Sequence, residues 1–438
     1  MKRRLHAWMA QWGPILPLLI AEATIWLGFG ALLPILPIYF TQHGVDLPTL
    51  GVVVAAWPAA RLLGEPVFGW VADRAPRRTL MVTGLVLASV FAVLPLFIVG
   101  PAAFIVLRAL SGRAASMYDP AARAYIVDAN PPERQGEAFG LYGAAQTGGF
   151  MLGPAIGGVA AGLTGQPTIV FWVAGVSLLV SAALVFLRVP ELAHLHPDEV
   201  PPTDAEEVVD EAGWSRPTRL LNLLLIAAMA FSIGQYFAGG TYEVVWSLYL
   251  TSLGAGLEAI GLTFFAFALP ILLVSGWFGR FADRRGGFWQ IVVGLLVAAV
   301  CGTLYVAVGQ VWFIMLVGLV EGLAFAAASP ALYLLIARSA PAGKASTAQG
   351  IFGAAGTLGT IIASLFSGFA AAVDLRIPFV ATTFAMIGAL MVGLALGGRR
   401  LYDALQPHPV IAQAAAGDGQ PAVEAARDDA QAAVEAAG

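Results

Sequence analysis

Uncharged apolar runs long enough to cross a bilayer recur from about residue 14 to about residue 397, and they leave the chain few folds to choose from. A run of roughly 20 apolar residues satisfies its backbone in lipid only as a helix. Charged residues make up 11% of the 438 and apolar residues 59%, whereas a soluble domain carries roughly 25% charged residues. Turn residues and charges divide the runs into twelve candidate spans. These start near Pro14, Pro48, Leu80, Ala102, Glu137, Thr168, Leu221, Glu258, Trp289, Val311, Thr347 and Arg376. The first follows Lys2, Arg3 and Arg4, but it is too long for a secretory leader and no small-residue cleavage site follows, so it reads as a retained helix.

An even number of spans places both termini on one side. Arg74, Arg77, Arg78, Arg134, Arg188, Arg216, Arg280, Arg284, Arg285, Arg338, Lys344, Arg399 and Arg400 fall in one alternate set of connections, and the other set holds Arg376 alone. The positive-inside rule therefore predicts cytoplasmic termini. The expected organisation is an N-terminus over 1–13, a six-helix bundle over 14–189, a linker over 190–217, a second bundle over 218–397 and a tail over 398–438. The linker contains HPDEVPPTDAEEVVDEAG, acidic and Pro-rich, and reads as mobile; the Ala-rich tail reads as disordered. The lone Cys301 rules out an intrachain disulfide. All five histidines lie outside the spans, which argues against a histidine relay or metal site in the membrane.

Shifting the chain by 210 residues brings its punctuation into register without a gap. FGWVADR from Phe68 meets FGRFADR from Phe278 at five of seven positions, and GLYGAAQTGG from Gly140 meets GIFGAAGTLG from Gly350 at six of ten. Gly112, Pro120 and Ala121 fall on Gly322, Pro330 and Ala331. Six spans per copy give parallel repeats about an axis along the membrane normal, with a substrate site between them near mid-membrane.

These residues resemble the major facilitator superfamily, and within it the twelve-helix drug:proton antiporter branch. The signature between the second and third spans stands as Gly69, Asp73, Arg74, Arg77 and Arg78, with Pro76 in the place of a glycine. The fourth-span signature stands as Arg108 and Gly112. The fifth-span antiporter signature is complete as Gly140, Gly149, Gly153, Pro154, Gly157 and Gly158. The resemblance implies an all-α membrane protein of twelve transmembrane helices, two six-helix bundles related by a pseudo-two-fold along the membrane normal. One position departs from the branch: Ile25 stands where it often has an aspartate before GFGALLP, and Glu22 lies one turn earlier.

The repeat predicts that Asp73 sits beside the start of the eleventh span and Asp283 beside the start of the fifth, where a helix N-terminus stabilises an anion. Arg74 and Arg77 would pair with Asp128, and with Arg78 and Arg284 they would form a cytoplasmic gate. The competing reading is a charge cluster that only fixes orientation. Ala145, Gly149, Gly153, Gly157 and Ala161 recur every fourth residue, a smooth stripe that recurs as Ala355, Gly359, Ala363, Ser367 and Ala371 and is expected to face the opposite half.

Charges inside the spans are costly and mark function. At 1.5 Å per residue, Glu22 lies roughly 12 Å from the inner boundary, Arg113 and Glu321 about 16 and 15 Å from the outer one, and Arg108 roughly 9 Å from it, close to the depth of Glu243. Arg61 and Glu65, one turn apart, are placed to pair with each other. Arg108 and Arg113 are about 140° apart around a helix and cannot serve one site; the resemblance favours Arg108. A carboxylate in a low-dielectric cavity can hold a proton and lose it when a cation or arginine approaches. Glu22 is the first candidate carrier, with Arg108 its expected partner, and Glu321 is the second; a buried ion pair that only positions helices is the alternative. Trp26, Phe29, Tyr236, Tyr242 and Trp246 are candidates for an apolar pocket.

The expected function is proton-coupled export of small amphiphilic or drug-like molecules by alternating access. The expected setting is the cytoplasmic membrane of a bacterium, as a monomer, with no nucleic-acid partner and no cofactor beyond the proton gradient. No G-x4-G-K-[ST] motif is present to bind a nucleotide, and no nucleophile–base set suggests an enzyme. Two alternatives stay open: a symporter or facilitator importing a sugar or organic acid, and a non-transporting receptor docked through the acidic linker.

Overall fold

The computed structural model describes residues 12–191, 220–341 and 345–406. Nearly all of the expected linker, the tail after residue 406 and most of the N-terminal segment lie outside the described residues; the tail expected to be disordered from 398 is helical as far as Ala404, because Leu401 and Leu405 are buried in a core. Among the described residues there are thirteen α-helices and no strand. The first half holds α1 (Leu16–Leu32), α2 (Leu36–Gln42), α3 (Leu47–Ala72), α4 (Arg77–Val93), α5 (Pro101–Ala129), α6 (Pro132–Thr164) and α7 (Ile169–Arg188). The second holds α8 (Leu223–Ser252), α9 (Leu257–Arg285), α10 (Phe288–Ala307), α11 (Val311–Ser339), α12 (Ala345–Ala371) and α13 (Ile377–Ala404).

Nine of these helices are long and apolar enough to cross a membrane singly, and α1 with α2 forms a tenth span bent by 43°. The helices α5 and α6 complete the twelve. Both are long, but α5 carries Arg108, Arg113, Asp119, Arg123 and Asp128, which lower its apolar character. The bend between α1 and α2 has a local cause. Pro34 and Pro37 interrupt the α-helical ladder, and the chain closes it with short bonds from Leu33 N–H to the Gly30 carbonyl and from Ile35 N–H to the Leu32 carbonyl. The second copy has Val244 and Ser247 at those positions, and α8 runs unbroken for 30 residues.

The 210-residue offset maps both ends of α5 onto both ends of α11, and the start of α3 onto the start of α9. The turn before α3 needs Gly44 at φ 84°, and its image needs Gly254 at φ 82°, a backbone shape that side chains disfavour. The α6 helix starts at Pro132, five residues before the expected Glu137, because it extends beyond its apolar stretch into polar sequence.

One end of the bundle carries Arg74, Arg77, Arg78, Arg284, Arg285, Arg338 and Arg400 and is called here the basic end. The apolar cores show how the halves meet. Leu36, Val53, Phe104 and Ala161 from the first half share one far-end core with Val245, Leu250, Ile260 and Phe379 from the second. Toward the basic end each half has its own core, around Tyr125 and Val185 in one and Leu335 and Leu401 in the other.

Glycine pairs allow the halves to touch at the far end. A Cβ added to Gly158 on α6 would lie 2.7 Å from the Gly261 Cα on α9, and one on Gly368 of α12 would lie 2.9 Å from the Gly51 Cα on α3. The repeat carries Gly51 onto Gly261 and Gly158 onto Gly368, so the two seams are images of each other. Near the basic end, a Cβ added to Gly69, Gly140, Gly350 or Gly353 would meet no atom within 4 Å. The protein is closed at the far end and open at the basic end.

The α6 stripe does not face the opposite half as the spacing suggested. Gly149, Gly153 and Gly157 pack on the backbone carbonyls of Ala23, Leu27 and Ala31 of α1, within their own half, whereas Gly158 and Gly162 on the neighbouring face reach across to α9. In the second copy Gly359 packs on Ile233 of α8 and Ser367 donates to the Thr241 hydroxyl at 3.1 Å. Fourfold spacing names a smooth helix face but not the helix that covers it.

Gly158→Leu forces a side chain against the Leu257 carbonyl oxygen, 2.6 Å from the first added carbon. Spin-label distances between α6 and α9 at the far end are expected to lengthen in this variant. They should stay unchanged in Gly140→Leu, which faces open space. Equal distances in both would show that the glycine seam does not set far-end closure.

Candidate functional site

A cavity of about 420 Å³ lies between the halves, on the basic side of the shared far-end core. That volume suits a drug-sized ligand. Its wall is mainly aromatic: Phe29 and Phe150 come from the first half, and Tyr236, Tyr242, Trp246 and Phe267 from the second. Glu243 and Glu321 are the two carboxylates on the wall.

Glu321 on α11 is 1% exposed. The hydroxyls of Tyr242 and Tyr305 donate to its two oxygens, the former at 3.0 Å. Trp246 packs edge-on against Tyr305 at 4.7 Å between centroids and donates its Nε1–H to the Thr263 hydroxyl at 2.8 Å. No guanidinium among the described residues pairs with Glu321.

Glu243 on α8 receives a hydrogen-bonded ion pair from Arg108 on α5 at 2.8 Å, and both side chains are largely buried. This is the one ion pair between the halves among the described residues. Sequence depth placed Arg108 level with Glu243, yet Arg108 was expected to serve Glu22; the structure corrects that. Glu22 is bonded instead to Tyr118, further along α5 from Arg108 toward the basic end, while the Arg108 side chain is committed across the cleft.

Glu22 on α1 is fully buried. Its carboxylate accepts from Trp26 Nε1 at 2.9 Å, the Tyr118 hydroxyl at 2.8 Å and Gln146 Nε2 at 3.1 Å. Trp26 in turn packs on Phe29 and Phe150 at the cavity wall. Arg61 does pair with Glu65 at 2.8 Å, but its other arm reaches Asp119 on α5, also at 2.8 Å. Arg113 stacks over Phe68 at 5.6 Å and has no carboxylate partner among the described residues. Tyr236 borders the cavity with 42% of its surface open.

At the basic end Arg77 forms an ion pair with Asp128. Arg74 instead lies over the Trp70 ring at 4.3 Å and donates to the Trp70 carbonyl, and Arg78 approaches Glu191 at 4.0 Å. Asp73, Asp283 and Arg284 are exposed. Asp73 has no hydrogen bond from a described residue of α12, because the basic ends of the halves stand apart. Arg338, the counterpart of Asp128, donates to the carbonyls of Ala404 and Gln406 at 2.6 and 2.8 Å. Asp119, Tyr118, Gln146 and Tyr305 are site residues the sequence reading missed. Asp119 was legible as a charge inside a span, one residue before Pro120; the other three are recognised only by what they touch.

Two six-span bundles around a central cavity define a membrane transporter rather than an enzyme. The sequence model of the Major Facilitator Superfamily matches residues 18–244 and 223–422, and the chain belongs to that superfamily. It is 24% identical over 378 residues to multidrug resistance protein 2 of Bacillus subtilis (strain 168), covering 84% of this chain and 90% of that protein. It is 33% identical over 136 residues to quinolone resistance protein NorA of Staphylococcus aureus, a match spanning 31% of this chain and 34% of that protein. In fold it is similar to a bacterial homolog of the human lysosomal transporter Spinster in an inward-facing, occupied conformation, with TM-score 0.74, 14% identity and coverage of 89% and 97% of the two chains. The peptide transporter POT in complex with sulfate gives TM-score 0.72 at 14% identity, covering 90% and 96%.

Removing one partner of a buried ion pair strands the other. Arg108→Gln is expected to lower stability in detergent by about 3 kcal/mol, and the double variant Arg108→Met/Glu243→Leu to recover most of it. Thermal unfolding of the three proteins measures this. A single variant as stable as wild type would mean that the inter-half pair is not formed.

Proposed function

We propose that the chain is a proton-coupled exporter of small amphiphilic molecules that works by alternating access. The observation that carries this reading is Glu321: a buried carboxylate on an aromatic cavity wall, held by neutral tyrosine hydroxyls with no guanidinium beside it among the described residues. Such a group can cycle between protonated and ionised forms as substrate enters and leaves. Glu22 has the same character inside the first half. The other buried carboxylates, Asp119 and Glu243, are matched by arginines.

Aromatic walls favour a flat or apolar ligand over a sugar, whose hydroxyls need many polar partners. The full fifth-span signature and the likeness to multidrug resistance protein 2 favour export over import. By the positive-inside rule the basic end faces the cytoplasm of a bacterial cell, so the open cavity loads from inside. The chain acts as a monomer with the proton gradient as its energy source.

The test is substrate-induced proton release in detergent with a fluorescent lipophilic cation as the probe. Wild type should release protons, and Glu321→Gln should reduce release at least several-fold while still exchanging probe across proteoliposomes. Absence of release in wild type would transfer the reading to a facilitator. Release intact in Glu321→Gln but lost in Glu22→Gln would put the carrier in the first half.

The same reading assigns Asp73, Arg74, Arg77, Arg78, Asp283 and Arg284 to a gate that closes when the basic ends meet. Asp73→Asn is expected to insert and bind normally and to slow turnover several-fold. Unchanged turnover would leave the cluster a topology signal.

A further inference from the structure

The two halves hold their basic-end turns in different ways. In the first half the turn between α3 and α4 is tied to the end of α5 by the ion pair of the buried Arg77 with Asp128. The 210-residue shift carries Arg77 onto Gly287 and Asp128 onto Arg338, so the second half lacks the cation of the pair and reverses the charge of its partner. The place is taken by a later part of the chain. The helix α13 breaks at Gly398, whose φ of 50° suits glycine, and the short stub that follows packs on the second half. Leu401 and Leu405 of the stub are buried in one core with Ile291 of α10 and Leu335 of α11.

Three consecutive carbonyls at the end of this stub accept bonds from the second half. Arg338 Nη1 donates to those of Ala404 and Gln406 at 2.6 and 2.8 Å, and the Gly287 N–H donates to that of Leu405 at 2.9 Å. The last carbonyls of a helix have no partner within it, and a guanidinium is well suited to supply one. The Leu405 side chain lies 3.4 Å from where a Cβ on Gly287 would stand, and Tyr402 packs edge-on against Phe288 at 5.2 Å between centroids. A helix this short does not hold together alone; its shape comes from Arg338, Gly287 and the core. In the first half the segment after α7 returns to its turn through one exposed side chain, Glu191, which accepts from the Arg78 N–H at 3.2 Å.

We propose that residues 399–406 are the clasp of the second half's gate, with Arg338 as its positioning residue; this rests on the gate reading of the basic-end charges. The clasp ties the α9–α10 turn to α11 as Arg77 and Asp128 tie the α3–α4 turn to α5. It thereby keeps Asp283 and Arg284 at the place from which the basic end closes. The charge reversal from Asp128 to Arg338 follows from what each must hold, a guanidinium in one copy and a row of carbonyls in the other. Glycine at 287 follows as well: a cation there would confront Arg338, and a bare backbone lets Leu405 come close.

A clasp that only adds stability predicts fewer folded molecules, each working at the wild-type rate. A positioning clasp predicts slower turnover in each folded molecule. The experiment pairs hydrogen exchange at residues 284–290 with turnover of a fluorescent lipophilic cation in proteoliposomes, counted per probe-binding molecule. Arg338→Gln acts from α11 and Leu405→Asn from the stub. Each is expected to speed exchange in the turn roughly ten-fold and to slow turnover several-fold with probe affinity unchanged. Arg338→Lys should retain most of the wild-type protection and turnover, because both bonds of Arg338 come from one nitrogen and an ammonium can make them. Exchange at the wild-type rate in Arg338→Gln and Leu405→Asn overturns the clasp. Faster exchange with wild-type turnover overturns the positioning role alone when Asp73→Asn still slows turnover. Wild-type turnover in all three variants overturns the gate reading as well.

Discussion

A charge buried in an apolar bundle must be matched, and the way this chain matches its charges organises everything else. The Arg108–Glu243 pair is the one ion pair that crosses between the halves among the described residues. It sits beside the cavity, where the halves separate, and not in the far-end core, where they are sealed. Asp119 is matched by Arg61 within the first half. Glu22 and Glu321 are left to neutral donors, Trp26, Tyr118 and Gln146 for one and Tyr242 and Tyr305 for the other. The protein thus places guanidinium groups on Asp119 and Glu243 and leaves Glu22 and Glu321 without one among the described residues.

The repeat builds the scaffold, and departures from it build the chemistry. Gly44 with Gly254, Gly51 with Gly261 and Gly158 with Gly368 are equivalent in both copies and do equivalent work in turns and seams. The charges inside the spans have no such images, unlike Asp73 with Asp283 and Arg74 with Arg284 at the basic end. The 210-residue shift carries Glu22 onto Ser232, Arg108 onto Gly318 and Asp119 onto Ser329, and Glu321 back onto Ser111. A symmetric frame lets two halves rock about one axis. An asymmetric set of charges lets one face of the cavity differ from the other.

Helix positions and the repeat were legible because lipid demands long apolar helices and tight seams demand glycine. The Arg61–Glu65 pair was legible because four residues make one helical turn. The Arg77–Asp128 pair followed from both residues lying at the basic end. The partner of Arg108 was not legible from depth alone: Glu22 and Glu243 both lie within the spans, and only the packing of α5 against the cleft shows which one it meets. The direction of the glycine stripe was hidden for a similar reason, since α1 and the opposite half are both helices that a smooth face fits. Asp119 was overlooked although the rule that reads intramembrane carboxylates as functional applies to it. Tyr118 and Tyr305 carry no signal in the sequence that separates them from packing aromatics.

The central claim is that one cavity is served alternately from two ends, the far-end glycine seams opening as the basic ends close. It is tested most directly by measuring inter-half distances at both ends of the same protein in lipid nanodiscs, with one spin-label pair across α3 and α12 near Gly69 and Gly350 and another near Gly51 and Gly368, as pH is varied. The account predicts opposed changes: whenever the basic-end distance shortens, the far-end distance lengthens. Two distances that change together, or a far end that stays closed while the basic end closes, would contradict it.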